Sequence, residues 1–216
     1  MSAIYLIRHG QASFGEAVYD RLSELGVTQS EILGKALATM RDRTRVAYSG
    51  DMQRHRQTAK ACLEAMGGSL DCIVDPGWNE FDHEQVIRAY TAAGADTEHG
   101  FQGFFEKTVA RWMSGEHDAD YAESWHAFRD RVRAALQRVA LALPGETDAL
   151  VFTSGGPIST IVADHLRIPD HEWIRTNRVP MNCGVTKLIV GKRGLHLSTL
   201  NGHAHFEHDP SLMTYR

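Results

Sequence analysis

Cysteine is scarce in this chain. Three residues in 216, at positions 62, 72 and 183, form an odd, scattered set without the paired spacing of a zinc site or a disulfide framework. Such usage suits a reducing compartment. Proline is equally sparse, at six residues, and no low-complexity tract interrupts the chain, which excludes collagen-like and disordered classes. No stretch approaches the ~20 apolar residues of a membrane span. The first apolar run, Ala3 to Ile7, stops after five residues at Arg8 and His9, too short for the apolar region of a signal peptide. These absences predict a cytoplasmic protein. Positive charge is in deficit as well, with 23 Lys and Arg against 27 Asp and Glu and a net charge of −4. Proteins that neutralise many phosphates of a nucleic acid carry a basic surplus, so neither nucleic acid nor a membrane is an expected partner.

What is present is an alternation of strand and helix signals. Ala3–Ile7 reads as a buried first strand, followed by the loop Arg8-His9-Gly10-Gln11. Thr28 and Glu31 have the spacing of a capping box, and Ile32, Leu33, Ala36, Leu37 and Met40 continue a helix behind them. Arg45–Tyr48 reads as a second strand. Ser49-Gly50-Asp51 then leads into a helix whose inner face is Ala59, Cys62, Leu63 and Met66. Leu70–Val74 is a third strand. Residues 76 to 122 differ in character. A Gly- and Ala-rich loop precedes one aromatic helix striped by Phe101, Phe104, Phe105, Val109, Trp112 and Met113, as in a helical insertion.

The pattern resumes with a long amphipathic helix marked by Trp125, Phe128, Val132, Leu136, Val139 and Leu143. Ala149–Thr153, a helix behind Ser154-Gly155-Gly156-Pro157, and a hairpin of Val185–Val190 with Leu195–Leu200 close the chain. The expected fold is α/β: a mostly parallel central sheet flanked by helices on both faces, in a single domain with a helical insertion.

In open sheets of this kind ligands bind beyond the carboxyl ends of the strands. Those ends carry Arg8-His9-Gly10-Gln11, the segment from Ser49 to Arg54, and Ser154-Gly155-Gly156. Two arginines offer permanent forked charge, and the glycine pair opening a helix offers backbone amides; both suit a phosphate. His9 is the only strong nucleophile among them, since a neutral imidazole can attack phosphorus near neutral pH. No carboxylate cluster or Gly-Lys-Ser loop is there to hold magnesium with a nucleotide, so arginines and amides must handle the charge without metal or cofactor. Ser154 lacks the nucleophile elbow of a serine hydrolase, because Phe152 stands where glycine is needed. His203, His205 and His208 have no carboxylate or cysteine partner at metal-ligand spacing. His55 and Arg56, beside Arg54, read as helix-surface residues.

Arg8-His9-Gly10 directly after an N-terminal strand resembles the signature of the histidine phosphatase superfamily, the phosphoglycerate-mutase-like fold. Leu22-Ser23-Glu24-Leu25-Gly26 with Gln29, Asp51-Met52-Gln53-Arg54 with Gln57-Thr58-Ala59, Asn182 to Thr186 and Asn201 to His205 resemble further family segments in the family's order. The resemblance implies that His9 becomes a phosphohistidine while Arg8 and Arg54 brace the phosphoryl oxygens. Gln11, Ser154 and Gly155 would complete the substrate contacts. Glu80 matches the family acid best, with Asp82 in reserve.

Two positions depart from the family. Ser154 stands where the second histidine is expected, which implies slow turnover unless another group substitutes, with His83 and His205 as candidates. Gly15 stands where mutases and many phosphatases carry asparagine. The expected function is a metal-independent phosphatase of a small phosphorylated metabolite. The alternatives are a weakened phosphate-ester-binding module and a mutase-type phosphotransferase. A homodimer is compatible with the sequence.

Overall fold

The six expected strands all form, each within three residues of its expected ends: β1 (Ser2–Arg8), β2 (Thr44–Ser49), β3 (Cys72–Val74), β4 (Asp148–Thr153), β5 (Val185–Gly191) and β6 (Gly194–Gly202). A computed structural model describes residues 1–13, 19–68, 70–94 and 100–215. The strands make one sheet in the order β3-β2-β4-β1-β5-β6. β1, β2, β3 and β4 pair in parallel, and β5 and β6 add an antiparallel edge. Seven helices accompany them among the described residues: α1 (Glu24–Leu37), α2 (Gln53–Ala65), α3 (His83–Ala92), α4 (Gly100–Met113), α5 (Trp125–Ala142), α6 (Gly155–Leu166) and α7 (Trp173–Asn177).

Side-chain alternation along the central strands divides the core in two. Ile4 and Leu6 of β1, with Ala149 and Val151 of β4, face the layer of α3 to α7. Ile7, Leu150 and Phe152 face the opposite layer, built from Leu33 and Leu37 of α1, Ala59, Cys62 and Leu63 of α2, and Phe206 and Leu212 near the C-terminus. Both faces are therefore apolar, as a parallel sheet requires.

Three local expectations are corrected. Helix α1 starts at Glu24, four residues before Thr28, because Ser23 is the N-cap and its hydroxyl accepts from Gly26 N at 3.0 Å. The Thr28 hydroxyl instead donates to the Glu24 carbonyl inside the helix. The stretch expected as loop holds α3, capped by Asp82, whose carboxylate accepts from Gln85 N at 2.9 Å. Val86 is its only buried residue, so its periodicity is faint in the sequence. The aromatic stripe of α4 behaves as core at Val109, Trp112 and Met113, while Phe104 and Phe105 are half-buried; the side chain of Phe101 and all of Gly15 lie outside the described residues.

The glycine of the first α1 turn marks where helix and nucleophile loop touch. A Cβ on Gly26 would lie 2.2 Å from the Gln11 carbonyl oxygen, a backbone atom that cannot swing aside. In an exposed helix Gly→Ala gains up to about 1 kcal/mol. Here the sign reverses: Gly26→Ala should cost about 1–3 kcal/mol through overpacking. Thermal unfolding of the variant at neutral pH reads the difference directly.

Candidate active site

The sheet's hydrogen bonding continues past its strands and aims four loops at one rim. His9 N donates to Thr153 O at 2.8 Å, Gly50 N to Phe152 O at 3.1 Å, and Asp75 N to Ser49 O at 2.8 Å. The expected site segments are thus joined by backbone, with the loop after β3 as the fourth member.

His9 is almost fully enclosed, and its Nδ1 lies 2.7 Å from the Gly10 carbonyl oxygen. A carbonyl can only accept, so Nδ1 carries the proton and Nε2 is the lone-pair nitrogen. Burial, then the charges of Arg54 and Arg8, hold the imidazole pKa well below its ordinary 6.5. The loop is fixed by residues of the family-like segments. Thr58 accepts from Gly10 N at 3.0 Å, Gln29 accepts from Gln11 N at 2.8 Å, and Asn182 donates to the His9 carbonyl at 3.0 Å. Gln11, expected to touch substrate, has its side-chain oxygen engaged by the Ser23 hydroxyl at 2.9 Å.

Arg54 is buried and Arg8 half-buried beside this imidazole. Arg8 donates from Nη1 to the carbonyls of Pro180 and Tyr215, and its Nε is buried without a partner. Burial lowers its pKa, opposed chiefly by Glu80. Arg54 has one partner that sequence reasoning missed: Nη1 donates to Asp20 Oδ1 at 2.6 Å, while its Nε is also unpartnered. Asp20 Oδ2 also accepts from Gln53 N, the first residue of α2. Two unpaired guanidinium nitrogens in one enclosed rim are costly, and an anion between them would satisfy both.

Glu80 reaches the amino end of α6, where Oε2 accepts from Gly156 N at 3.0 Å. A Cβ at position 156 would sit 1.9 Å from Glu80 Oε1, so glycine is what admits the carboxylate to the helix terminus. The loop behind it is clamped. Arg131 donates to the carbonyls of Pro76, Gly77 and Asn79, and Phe81 stacks on Trp112 at 4.8 Å. Asp82, the reserve acid, is exposed and occupied with capping α3. Gly155 opens α6 with its backbone buried among Asn177 and Arg8.

The largest correction concerns His55. It is fully buried, and its Nε2 lies 2.6 Å from the hydroxyl of Ser154, itself fully buried. Its ring centroid is 5.7 Å from that of His9. Burial first, then Arg54, holds its pKa well below 6.5. His83 and His205, the expected substitutes for the absent histidine, make other ring contacts, with Tyr19 and Phe206. The signal for His55 was helical spacing. It precedes Ala59 by four residues and Cys62 by seven, on the buried stripe of α2.

No group of three or more His, Cys, Asp or Glu side chains suited to a metal is found among the described residues. No helix among them is long and apolar enough to cross a membrane.

Burial of two neutral histidines has a pH signature. Both resist protonation in the fold, whereas the unfolded chain takes up protons below about pH 6.5. Stability is therefore full above that pH and declines as pH falls below it, by about 1 kcal/mol per pH unit for each histidine until the folded-state pKa is passed. Unfolding midpoints at pH 7.5 and 5.5 should show the decline, and a His9→Gln, His55→Gln double variant should flatten it. His205, lowered to about 4 by burial, leaves a residual slope.

Comparison with known proteins supports the same fold. Similar structures include a phosphoglycerate mutase from Bacillus anthracis (20% identity, TM-score 0.70, covering 94% of each chain). Another is a phosphoserine phosphatase from Entamoeba histolytica (17% identity, TM-score 0.69, 95% of this chain and 99% of that one). A third is a mycobacterial glucosyl-3-phosphoglycerate phosphatase (22% identity, TM-score 0.64, 93% and 99%). A search by sequence among curated proteins gave no match. At such identities the structures speak for the fold alone. The sequence profile of the histidine phosphatase superfamily (branch 1) matches residues 4–203, from the first strand past the end of the last, so the chain belongs to that superfamily.

Proposed function

We propose that this protein is a metal-independent phosphatase that hydrolyses a small phosphorylated metabolite through a phosphohistidine on His9. The observation that carries the reading is the tautomer of His9. A neutral ring with Nδ1 held by the Gly10 carbonyl presents Nε2 as a nucleophile beside the guanidinium groups of Arg8 and Arg54.

In this reading Nε2 attacks phosphorus and the ester oxygen departs, taking a proton from the Glu80 carboxyl group. Glu80 then removes a proton from water, the water oxygen attacks phosphorus, and the N–P bond breaks to release phosphate and neutral His9. Arg8, Arg54 and the α6 amides hold the phosphoryl oxygens throughout, doing the work a metal ion does elsewhere. Two of the similar structures are named as phosphatases of phosphoserine and glucosyl-3-phosphoglycerate, which supports a small phosphate ester as substrate. Three unpaired thiols fit a cytoplasmic setting.

Release of phosphate from an aryl phosphate, and from a panel of sugar phosphates and phosphoacids, tests the proposal. The parent chain should turn over with a chelator present. His9→Ala should lose about 10³-fold or more while remaining folded. Arg54→Ala should raise KM as well as lower kcat, because its charge meets the phosphate before and during the reaction. No hydrolysis of any ester, or full activity in His9→Ala, would remove the proposal.

A further inference from the structure

We propose that His55, acting through the Ser154 hydroxyl, supplies the hydrogen bond and positive charge that a second histidine at position 154 would supply to the bound phosphoryl group. The inference rests on the phosphatase reading above for its chemistry, although its geometry stands alone.

Four observations carry it. The Nε2–Oγ separation of 2.6 Å joins two fully buried groups, one at the start of α2 and one at the entry to α6. Ser154 is the N-cap residue of α6, yet its side chain makes no capping bond to the helix amides. Ser, at that position, ordinarily caps; here the hydroxyl is turned to His55 instead. His55 Nδ1 is buried without a partner, unlike a histidine kept only to complete the core. Finally, the ring has room because residue 50 is glycine: a Cβ there would lie 2.2 Å from Nδ1.

The physical account follows from charge. In the ligand-free fold His55 is kept neutral by burial and by Arg54 on its own helix. A phosphoryl dianion at the α6 terminus brings compensating negative charge one hydroxyl away. His55 then takes a proton from solvent, its Nε2–H donates to Ser154 Oγ, and the hydroxyl proton turns to a phosphoryl oxygen. Charge reaches the anion through the serine, so His55 is a positioning residue that does not touch substrate. His9, whose ring lies against that of His55, is spared the proton because it faces the charges of both Arg54 and Arg8 and holds its Nδ1 proton on the Gly10 carbonyl.

The test is an exchange. His55→Ala and Ser154→Ala should each lower kcat by about 10²–10³-fold. The double variant should lose no more than either alone, since the two act as one unit. His55→Gln, which keeps a neutral donor near the Nε2 position, should stay within tenfold of His55→Ala, because it cannot carry charge. Ser154→His alone should be crowded by His55 and lose activity, whereas His55→Ala combined with Ser154→His should recover at least tenfold over His55→Ala.

Orthovanadate affinity, measured by calorimetry on the same folded proteins, should weaken in parallel and needs no turnover. Vanadate binding that falls in His55→Gln while the parent hydrolyses nothing would sustain this proposal and sink the phosphatase reading. A parent that hydrolyses normally, with Ser154→Ala or His55→Gln within threefold of it, would overturn this proposal and leave the phosphatase. Additive losses in the double variant would also overturn it. Should His55→Ala fail to fold, Ser154→Ala and His55→Gln decide the matter.

Discussion

The hydrogen bond between His9 Nδ1 and the Gly10 carbonyl assigns the proton to one nitrogen of a ring surrounded by positive charge. An imidazole in water would share that proton between its nitrogens and be partly cationic near pH 6.5. Enclosure, with Arg54 and Arg8 beside it, disfavours the cation, and the carbonyl disfavours the other tautomer. Much of the surrounding structure serves this arrangement. Thr58, Gln29 and Asn182 hold the loop, and the close backbone approach of Gly26 to Gln11 leaves it no slack.

Such a concentration of donors must be balanced when no substrate is present, and two carboxylates do so. Asp20 takes one arm of Arg54, and Glu80 takes the Gly156 amide at the helix terminus that suits an anion. Both contacts are ones a phosphoryl group would contest. In the proposed reaction Glu80 would therefore lie beside the phosphoryl group by the same geometry that lets its carboxylate occupy the helix terminus. The clamp of Arg131 on three carbonyls of its loop, together with the stack of Phe81 on Trp112, keeps that position from drifting.

The fold was legible in the sequence because its signals are local and redundant. Short apolar runs became β1 and β4, buried on both faces, and the stripe from Trp125 to Val139 became the inner face of α5. The site was legible to the extent that chemistry gathers at strand ends, which brought His9, Arg8, Arg54 and the Gly155-Gly156 pair to one rim; Glu80 was legible only through the family resemblance. Less visible were features set by tertiary partners. Helix α3 buries only Val86, so it leaves little period to read, and the true cap of α1 is Ser23 because its hydroxyl meets Gly26 N. Asp20 earns its role through a contact across 34 positions. His55 was visible as a member of the buried α2 stripe, but a charged-looking Arg-His-Arg run disguised it. Its meaning depends on Ser154, 99 residues away.

The central claim is that this rim binds a tetrahedral oxyanion with His9 in line and the Ser154–His55 pair on its flank. A crystal structure with bound orthovanadate tests it most directly. The account predicts vanadium within bonding distance of His9 Nε2, and equatorial oxygens contacted by Arg8, Arg54 and the Ser154 hydroxyl. Arg54 should be released from Asp20, and the bond from Ser154 Oγ to His55 should remain. Vanadate bound away from His9, or bound there with the Ser154 hydroxyl turned from it and the contact to His55 broken, would contradict the account.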